Sequence, residues 1–493
     1  MSNEYITASE GPDIRDSYFR FSQSLSYADR TEEEHTPFSF AETGPPTETD
    51  LLPDEDFVSN YSTKLYLNAH EYDVAVIGGG PAGYMAAIHA AKLGAKVILF
   101  EKEMLGGLTA GGGAIVNLSK TLSYKNSVVT NLAANIARLL RSNRVRVEAG
   151  EACLKSANEV SCRGKLYNVS KVILCSGKVE ALPGLRGDSP LGMWTMNDIF
   201  KATEAPARLM VFGGGSVGCE IAAAFAALGS SVILVEPEQR LLTGMDAQLA
   251  AAVHSALARA GVKIHTGISV KEISDRGGNP YVVTDRGGVI CDKFLVATKQ
   301  KLDTSPLGEL MNRLEINNDT IVVNEYLETN IPGVYAAGDC TDLGSHTHAA
   351  YRMAGIVAEN AMGRRKTLDL RAMPLTVYTT PGAAGVGMTE EEARGTYGDD
   401  VVVGLSLLTN NVRAMLSGVT DGFVKVLAGR KYGEIYGVHI FGAEAAEMIA
   451  EPAAMMRMEV TIHEVCGDII HAHPTYSEAF EAACMDALSK GVA

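Results

Sequence analysis

Residues 71–120, EYDVAVIGGGPAGYMAAIHAAKLGAKVILFEKEMLGGLTAGGGAIVNLSK, restrict the possible folds more than any other stretch. The apolar, β-branched run 72–77 predicts a short strand. Gly78, Gly80 and Gly83 then complete G-x-G-x-x-G, and an Ala-rich segment predicts a helix over 84–92. A second strand is expected over 95–100, closing on Glu101. Strand, tight glycine turn, helix N-terminus and a carboxylate about 20 residues on are the parts a dinucleotide site needs. The helix N-terminus offers backbone N–H groups to a pyrophosphate, and the carboxylate accepts from ribose hydroxyls. A glycine turn without a ligand would leave Glu101 unexplained, so this unit predicts ADP binding.

A second unit repeats the plan. A strand over 209–212 leads into Gly213, Gly215 and Gly218, then a helix over 219–228, a strand over 232–235 and Glu236. An acid at Glu236 would accept from a ribose 2′-hydroxyl and repel a 2′-phosphate, which favours NAD(H) over NADP(H). Arg240 lies near, and Lys299 stands in the sequence Ala297-Thr298-Lys299 where a turn would approach the nucleotide.

Further segments carry a family pattern. Leu105-Gly106-Gly107 leads into a Gly-rich helix start; 331–339 read IPGVYAAGD; 471–478 read HAHPTYSE. In these the chain resembles the pyridine nucleotide-disulfide oxidoreductases, and dihydrolipoamide dehydrogenase in particular, almost end to end from Glu71. The resemblance implies an α/β fold with two Rossmann-like dinucleotide-binding domains, one for FAD and one for NAD, and a C-terminal α+β dimerisation domain. The implied organisation is an acidic extension over 1–70, the FAD-binding domain over 71–185, the NAD-binding domain over 186–304, a returning FAD/central segment over 305–370, and the dimerisation domain over 371–493. It further implies FAD contacts at Gly107 and Gly177 and a bond from Asp339 to the ribityl chain or flavin-side hydroxyls. His348 falls where the family has a His next to the flavin; packing is its other reading. Lys120 matches the family lysine beside the flavin, with Glu220 as its partner, although a gap-free alignment puts Leu118 there instead. His473 and Glu478 match the family's proton-transferring dyad, which reaches the partner subunit's active site.

One departure matters most. The family's redox-active disulfide follows L-G-G-T-C-x-x-x-x-C. Laid on it without gaps, this sequence has Thr109 and Ala114 at the cysteine positions; matched at Ser119-Lys120, it has Gly111 and Val116 there; and no cysteine lies between Glu71 and Ala152. The segment after it is also shorter than in disulfide-bearing members by roughly two dozen residues. Three functions remain in view. One is an NADH-dependent FAD oxidoreductase that passes hydride or electrons directly to a small-molecule acceptor, with His473 as proton donor. Another is an electron-transfer subunit or transhydrogenase serving a docked redox protein. A third is a non-redox regulatory or assembly protein that keeps FAD for folding.

Composition narrows the partners. A net charge of −16 argues against nucleic acid, and no apolar run reaches the length of a membrane span. Eight scattered cysteines without C-x-x-C, and an N-terminus lacking a signal-peptide core, predict reduced thiols in a cytoplasmic protein; the family's dimerisation domain implies a homodimer. Residues 1–70 are polar and acidic but hold Tyr18, Phe19, Phe21, Phe38 and Phe40, so a solvated tail and a docking segment both remain open. His463, Cys466, His471 and His473 do not match a metal-ligand spacing, and no metal is expected. Cys175, at the end of a strand over 172–174, is expected to be buried and inert.

Overall fold

A computed structural model describes residues 70–106, 118–179, 192–298, 300–344 and 346–492, with the side chains of 118–122 left undescribed. Gly107, Thr109, Ala114, Lys299, the side chain of Lys120 and the 1–69 extension lie outside the described residues.

Tyr72–Ile77 forms the centre of a seven-stranded sheet whose path runs Arg146–Ala149, Val97–Glu101, Tyr72–Ile77, Lys165–Leu174, Glu159–Cys162, Ala152–Ser156. Val334–Ala336 joins it in parallel beside Lys165–Leu174. The β-branched run suits this place because both faces of the sheet are covered, by one apolar cluster on each side. Ile77 pairs with Phe100 and Leu174, and Leu174 with Ala336, so four parallel strands deliver their C-terminal ends to one edge. The helix there runs Pro81–Lys92. It starts before the expected residue 84 because Pro81, with its fixed φ and no N–H to satisfy, is well placed in a first helical turn. Small residues Ala86, Ala87 and Ala90 let it lie against Thr347–Ala361, which is equally Ala-rich on its buried face. One long helix spans Leu118–Ser142.

The second half repeats the design. Its parallel sheet runs Lys263–Thr266, Ser231–Glu236, Arg208–Phe212, Lys293–Val296, Met193–Trp194. The helix Ser216–Ala227 follows its glycine turn. A three-stranded antiparallel layer, Val270–Asp275, Pro280–Thr284 and Gly287–Ile290, covers the face away from that helix.

The C-terminal part is a five-stranded antiparallel sheet ordered Leu375–Val377, Gly382–Gly387, Ile435–Gly442, Phe423–Gly429, Val401–Leu407. Helix Glu478–Ser489 lies across it so closely that a Cβ on Gly404 would come within 2.0 Å of the Ala483 carbonyl. The helical stretch after strand Ile435–Gly442 is split into Ala445–Met448 and Ala450–Arg457. Pro452 explains the break, since it has no N–H to bond back to Met448. The chain is thus an α/β protein with two dinucleotide-type halves and an α+β C-terminal domain. Among the described residues no helix is long and apolar enough to cross a membrane.

Between the second half and the C-terminal sheet sits a buried ionic cluster. The Lys425 ammonium, 2% exposed, lies 3.0 Å from both oxygens of Asp246 and 2.7 Å from Glu390. Asp246 also caps helix Ala247–Arg259 by accepting from Gln248 N–H, and it accepts from Glu390 N–H.

Candidate functional site

The two glycine turns are built alike, contact by contact. Gly78 has φ +102° and Gly213 φ +114°; a Cβ on either would strike a carbonyl of the neighbouring strand end, Cys175 at 2.3 Å or Ala297 at 2.5 Å. Gly83 and Gly218 let the helix sit on the turn: a Cβ would lie 1.7 Å from the Gly78 oxygen and 1.8 Å from the Gly213 oxygen. Gly80 and Gly215 differ from these, because a Cβ there meets no protein atom within 4 Å. The space beyond them is open at a helix N-terminus, which suits an approaching pyrophosphate. Glu101 accepts from Gly79 N–H and Glu103 N–H; Glu236 accepts from Gly214 N–H and Glu238 N–H. A carboxylate offers about four lone-pair directions, so each retains acceptor capacity for ribose hydroxyls.

Around the first turn the strand ends add polar groups without partners. Ser176 Oγ is buried and unbonded among the described residues. Gly177, φ +68°, turns the chain away with open space at its Cβ position. Asp339 follows the strand Val334–Ala336 and makes no hydrogen bond among the described residues; burial raises its pKa, opposed by Lys178. An orphaned hydroxyl, an unbonded half-buried acid and an open glycine together fit a polar ligand laid across these strand ends, as FAD would be. The thiols beside this edge, Cys175 and Cys340, are buried; burial pushes Cys175 well above the usual thiol value and Cys340 up to about 12.

His348, Glu220 and Arg240 each have a protein partner. The ring of His348 is exposed and bonds through Nε2 to the Pro374 carbonyl at 2.7 Å, so it joins helix Thr347–Ala361 to the start of the C-terminal part. Glu220 accepts from Tyr378 N–H at 3.0 Å, and burial raises its pKa. The Arg240 guanidinium donates to the Thr243 and Met245 carbonyls, folding its own loop.

His473 and Glu478 are brought together. Glu478 opens helix Glu478–Ser489; one oxygen lies 2.8 Å from His473 Nδ1 and the other accepts from Thr475 N–H at 2.7 Å. Those two bonds hold the Glu478 carboxyl below the usual range. The His473 side chain is 64% exposed, and among the described residues nothing bonds its Nε2. That nitrogen is therefore available to a group outside this chain. His471 differs: it is 4% exposed, 2.8 Å from Glu451 and 3.2 Å from Glu481, and it pins two helices together. Among the described residues no group of three or more His, Cys, Asp or Glu side chains could hold a metal. No hydrogen bond or ion pair among them links the dyad to either glycine turn. Ser176 was open to sequence reasoning, being adjacent to Gly177; the Asp246–Lys425 pair was not.

Residues 72–354 match the family model described as pyridine nucleotide-disulphide oxidoreductase, and 373–484 match its dimerisation domain. The chain is 33% identical over 457 residues to the dihydrolipoyl dehydrogenase of Thermus scotoductus, covering 85% of this chain and 98% of that one. It is 30% identical over 464 residues to a dihydrolipoyl dehydrogenase of Bacillus subtilis, with 85% and 99% covered. Among solved structures, the HOCl-induced flavoprotein disulfide reductase RclA of Escherichia coli superposes with a TM-score of 0.78 at 26% identity, covering 84% of this chain and 99% of the other. The chain belongs to the pyridine nucleotide-disulphide oxidoreductase family. It is an FAD-dependent pyridine nucleotide oxidoreductase of the lipoamide dehydrogenase type, with FAD and NAD(H) as cofactors and the family's dimerisation domain.

Proposed function

We propose that this protein is a homodimeric NADH-dependent FAD oxidoreductase that delivers hydride or electrons directly to an acceptor, without a redox-active disulfide. The observation that carries the proposal is the cysteine distribution. Residues 71–152 hold no cysteine, and the thiols beside the first glycine turn, Cys175 and Cys340, are buried and hard to ionise. A thiolate is the reactive form in disulfide exchange, so neither supports that chemistry. When bound, FAD takes up two electrons from NADH and passes them on.

The chain's own residues supply binding and proton transfer. Gly78, Gly80, Gly83 and Glu101, with Gly107, Gly177 and Asp339, would hold FAD; Gly213, Gly215, Gly218 and Glu236 would hold NAD(H). Glu478 fixes the His473 ring through Nδ1 and leaves Nε2 to protonate an acceptor oxygen in the partner subunit's site.

Anaerobic NADH titration of the yellow protein should bleach the flavin. Lipoamide and glutathione disulfide should not be turned over with NADH, whereas a screen of quinones and enones should return an acceptor. Robust lipoamide reduction that is lost in Cys175→Ser or Cys340→Ser would refute the proposal, since a displaced thiol would then be carrying the electrons.

A further inference from the structure

Polar groups stand in a definite order along the edge of the first sheet. Across that edge the strands run Val97–Glu101, Tyr72–Ile77, Lys165–Leu174, Val334–Ala336. At their ends come, in the same order, Glu101, the open turn at Gly80, Ser176 with Gly177, and Asp339. A dinucleotide with its adenosine ribose at Glu101 and its pyrophosphate at Gly80 therefore carries its flavin half toward Asp339. Helix Thr347–Ala361 starts on that side. It follows a strand parallel to its neighbours, so it begins at their C-terminal ends. A Cβ on Gly338 would lie 2.8 Å from the Ala82 methyl and 3.9 Å from the Ala350 methyl. The first turns of helices Pro81–Lys92 and Thr347–Ala361 thus meet at the residue before Asp339.

His346 holds the N-cap position of the second of these helices. Its backbone is extended, with φ −118° and ψ 140°, and its carbonyl accepts from Ala350 N–H at 2.9 Å, but its side chain caps nothing. Nδ1 is buried without a hydrogen-bond partner among the described residues. The residue as a whole is half-buried, so the rest of the ring is not sealed in. A buried N–H left unpaired is the costlier arrangement, which puts the proton on Nε2. Burial and the neighbouring His348 also lower the His346 pKa and keep the ring neutral. The His348 ring, 5.2 Å away between centroids, is already bonded to the Pro374 carbonyl.

Resting on the FAD placement given above, we propose that His346, and not His348, is the imidazole that touches the flavin, donating from Nε2 to an acceptor on its pyrimidine half. Those acceptors are carbonyls and ring nitrogens, and electrons added to the ring increase the negative charge they carry. A donor there helps to hold FAD and favours the reduced ring over the oxidised one.

The test uses full-length protein stripped of FAD and then reconstituted. His346→Leu should weaken FAD binding about 3- to 10-fold, the worth of one hydrogen bond, and lower the flavin midpoint potential measured against a reference dye. His346→Gln, which keeps an N–H donor, should recover part of both losses. His348→Leu should leave the potential at its wild-type value. A measurement on wild type does not depend on a variant folding: with 15N-labelled histidine, the His346 Nε2 resonance should move when FAD is added to the apoprotein. An unmoved resonance overturns the inference. So does wild-type affinity and potential in His346→Leu while Gly80→Ala loses FAD, a result that leaves the FAD placement standing. Normal FAD loading of Gly80→Ala overturns the placement and the inference together. A potential shifted by His348→Leu and not by His346→Leu gives the contact to His348 and overturns the inference as well.

Discussion

Replacing Gly80 by alanine separates folding from cofactor binding. Gly80 has φ −66° and ψ −174°, extended backbone that alanine adopts without strain. A Cβ there meets nothing within 4 Å, so the apoprotein should fold as well as wild type. Reduced freedom in the unfolded chain should even add about 0.4–1 kcal/mol. Binding should suffer, because the methyl group enters the space through which a pyrophosphate reaches the helix N-terminus. Displacing one charge-assisted hydrogen bond costs about 1.5–3 kcal/mol, or roughly 10- to 150-fold in affinity. Gly83→Ala is the contrasting control. Its Cβ would sit 1.7 Å from the Gly78 oxygen, so helix and turn must separate, and overpacking of this kind costs about 1–3 kcal/mol or more.

The duplicated turn gives the same pair again. Gly215→Ala should keep its flavin and lose NADH affinity, whereas Gly218→Ala should destabilise the second half. The assays are flavin content per chain by absorbance, apoprotein unfolding by denaturant, and NADH affinity from flavin reduction. Full FAD loading in Gly80→Ala with wild-type affinity would refute the placement of the pyrophosphate. An unfolded Gly80→Ala apoprotein would refute the claim that the space is empty of protein.

Three further outcomes follow from the structure. Wild type should prefer NADH over NADPH at least several-fold in kcat/KM, since a Glu236–phosphate contact costs about 1–4 kcal/mol; a ratio near unity that Glu236→Ala leaves unchanged would remove Glu236 from the site. His473→Ala should leave flavin reduction by NADH unchanged in stopped flow and slow reoxidation by the acceptor about 10²–10⁴-fold, with a milder defect in Glu478→Gln; wild-type rates in both half-reactions would make the dyad an interface feature only. Lys425→Met should cost about 3–5 kcal/mol at neutral pH, because it strands buried Asp246. In wild type, burial pushes Asp246 up, but His439, the Glu390 N–H and Lys425 bring it below the usual value, so its stabilisation is complete above the unfolded pKa and lost as pH falls through the folded one. The deficit of Lys425→Met should therefore shrink on acidification, as Asp246 takes up its proton; a pH-independent deficit would show that packing, not charge, is at stake.

What could be read from the sequence was local. Each carboxylate reaches a turn N–H 22 residues before it, Glu101 to Gly79 and Glu236 to Gly214, and both lie within one strand–turn–helix–strand unit. His473 and Glu478 are likewise five residues apart in one motif. What could not be read depends on how separate units dock. Glu220 meets Tyr378 across 158 positions and Lys425 meets Asp246 across 179. The same reasoning explains how two near-identical turns can serve different nucleotides. The turns themselves do not differ in any contact that would choose between FAD and NAD(H). The first sheet, however, receives the late strand Val334–Ala336, which brings Asp339 and helix Thr347–Ala361 to its edge. At the equivalent place the second sheet carries the short early strand Met193–Trp194; beyond its turn, Glu220 accepts from Tyr378 N–H and Arg240 donates within its own loop. On the proposed assignment, discrimination between the nucleotides would rest on a segment that lies more than two hundred residues from the first turn in sequence and beside it in the fold.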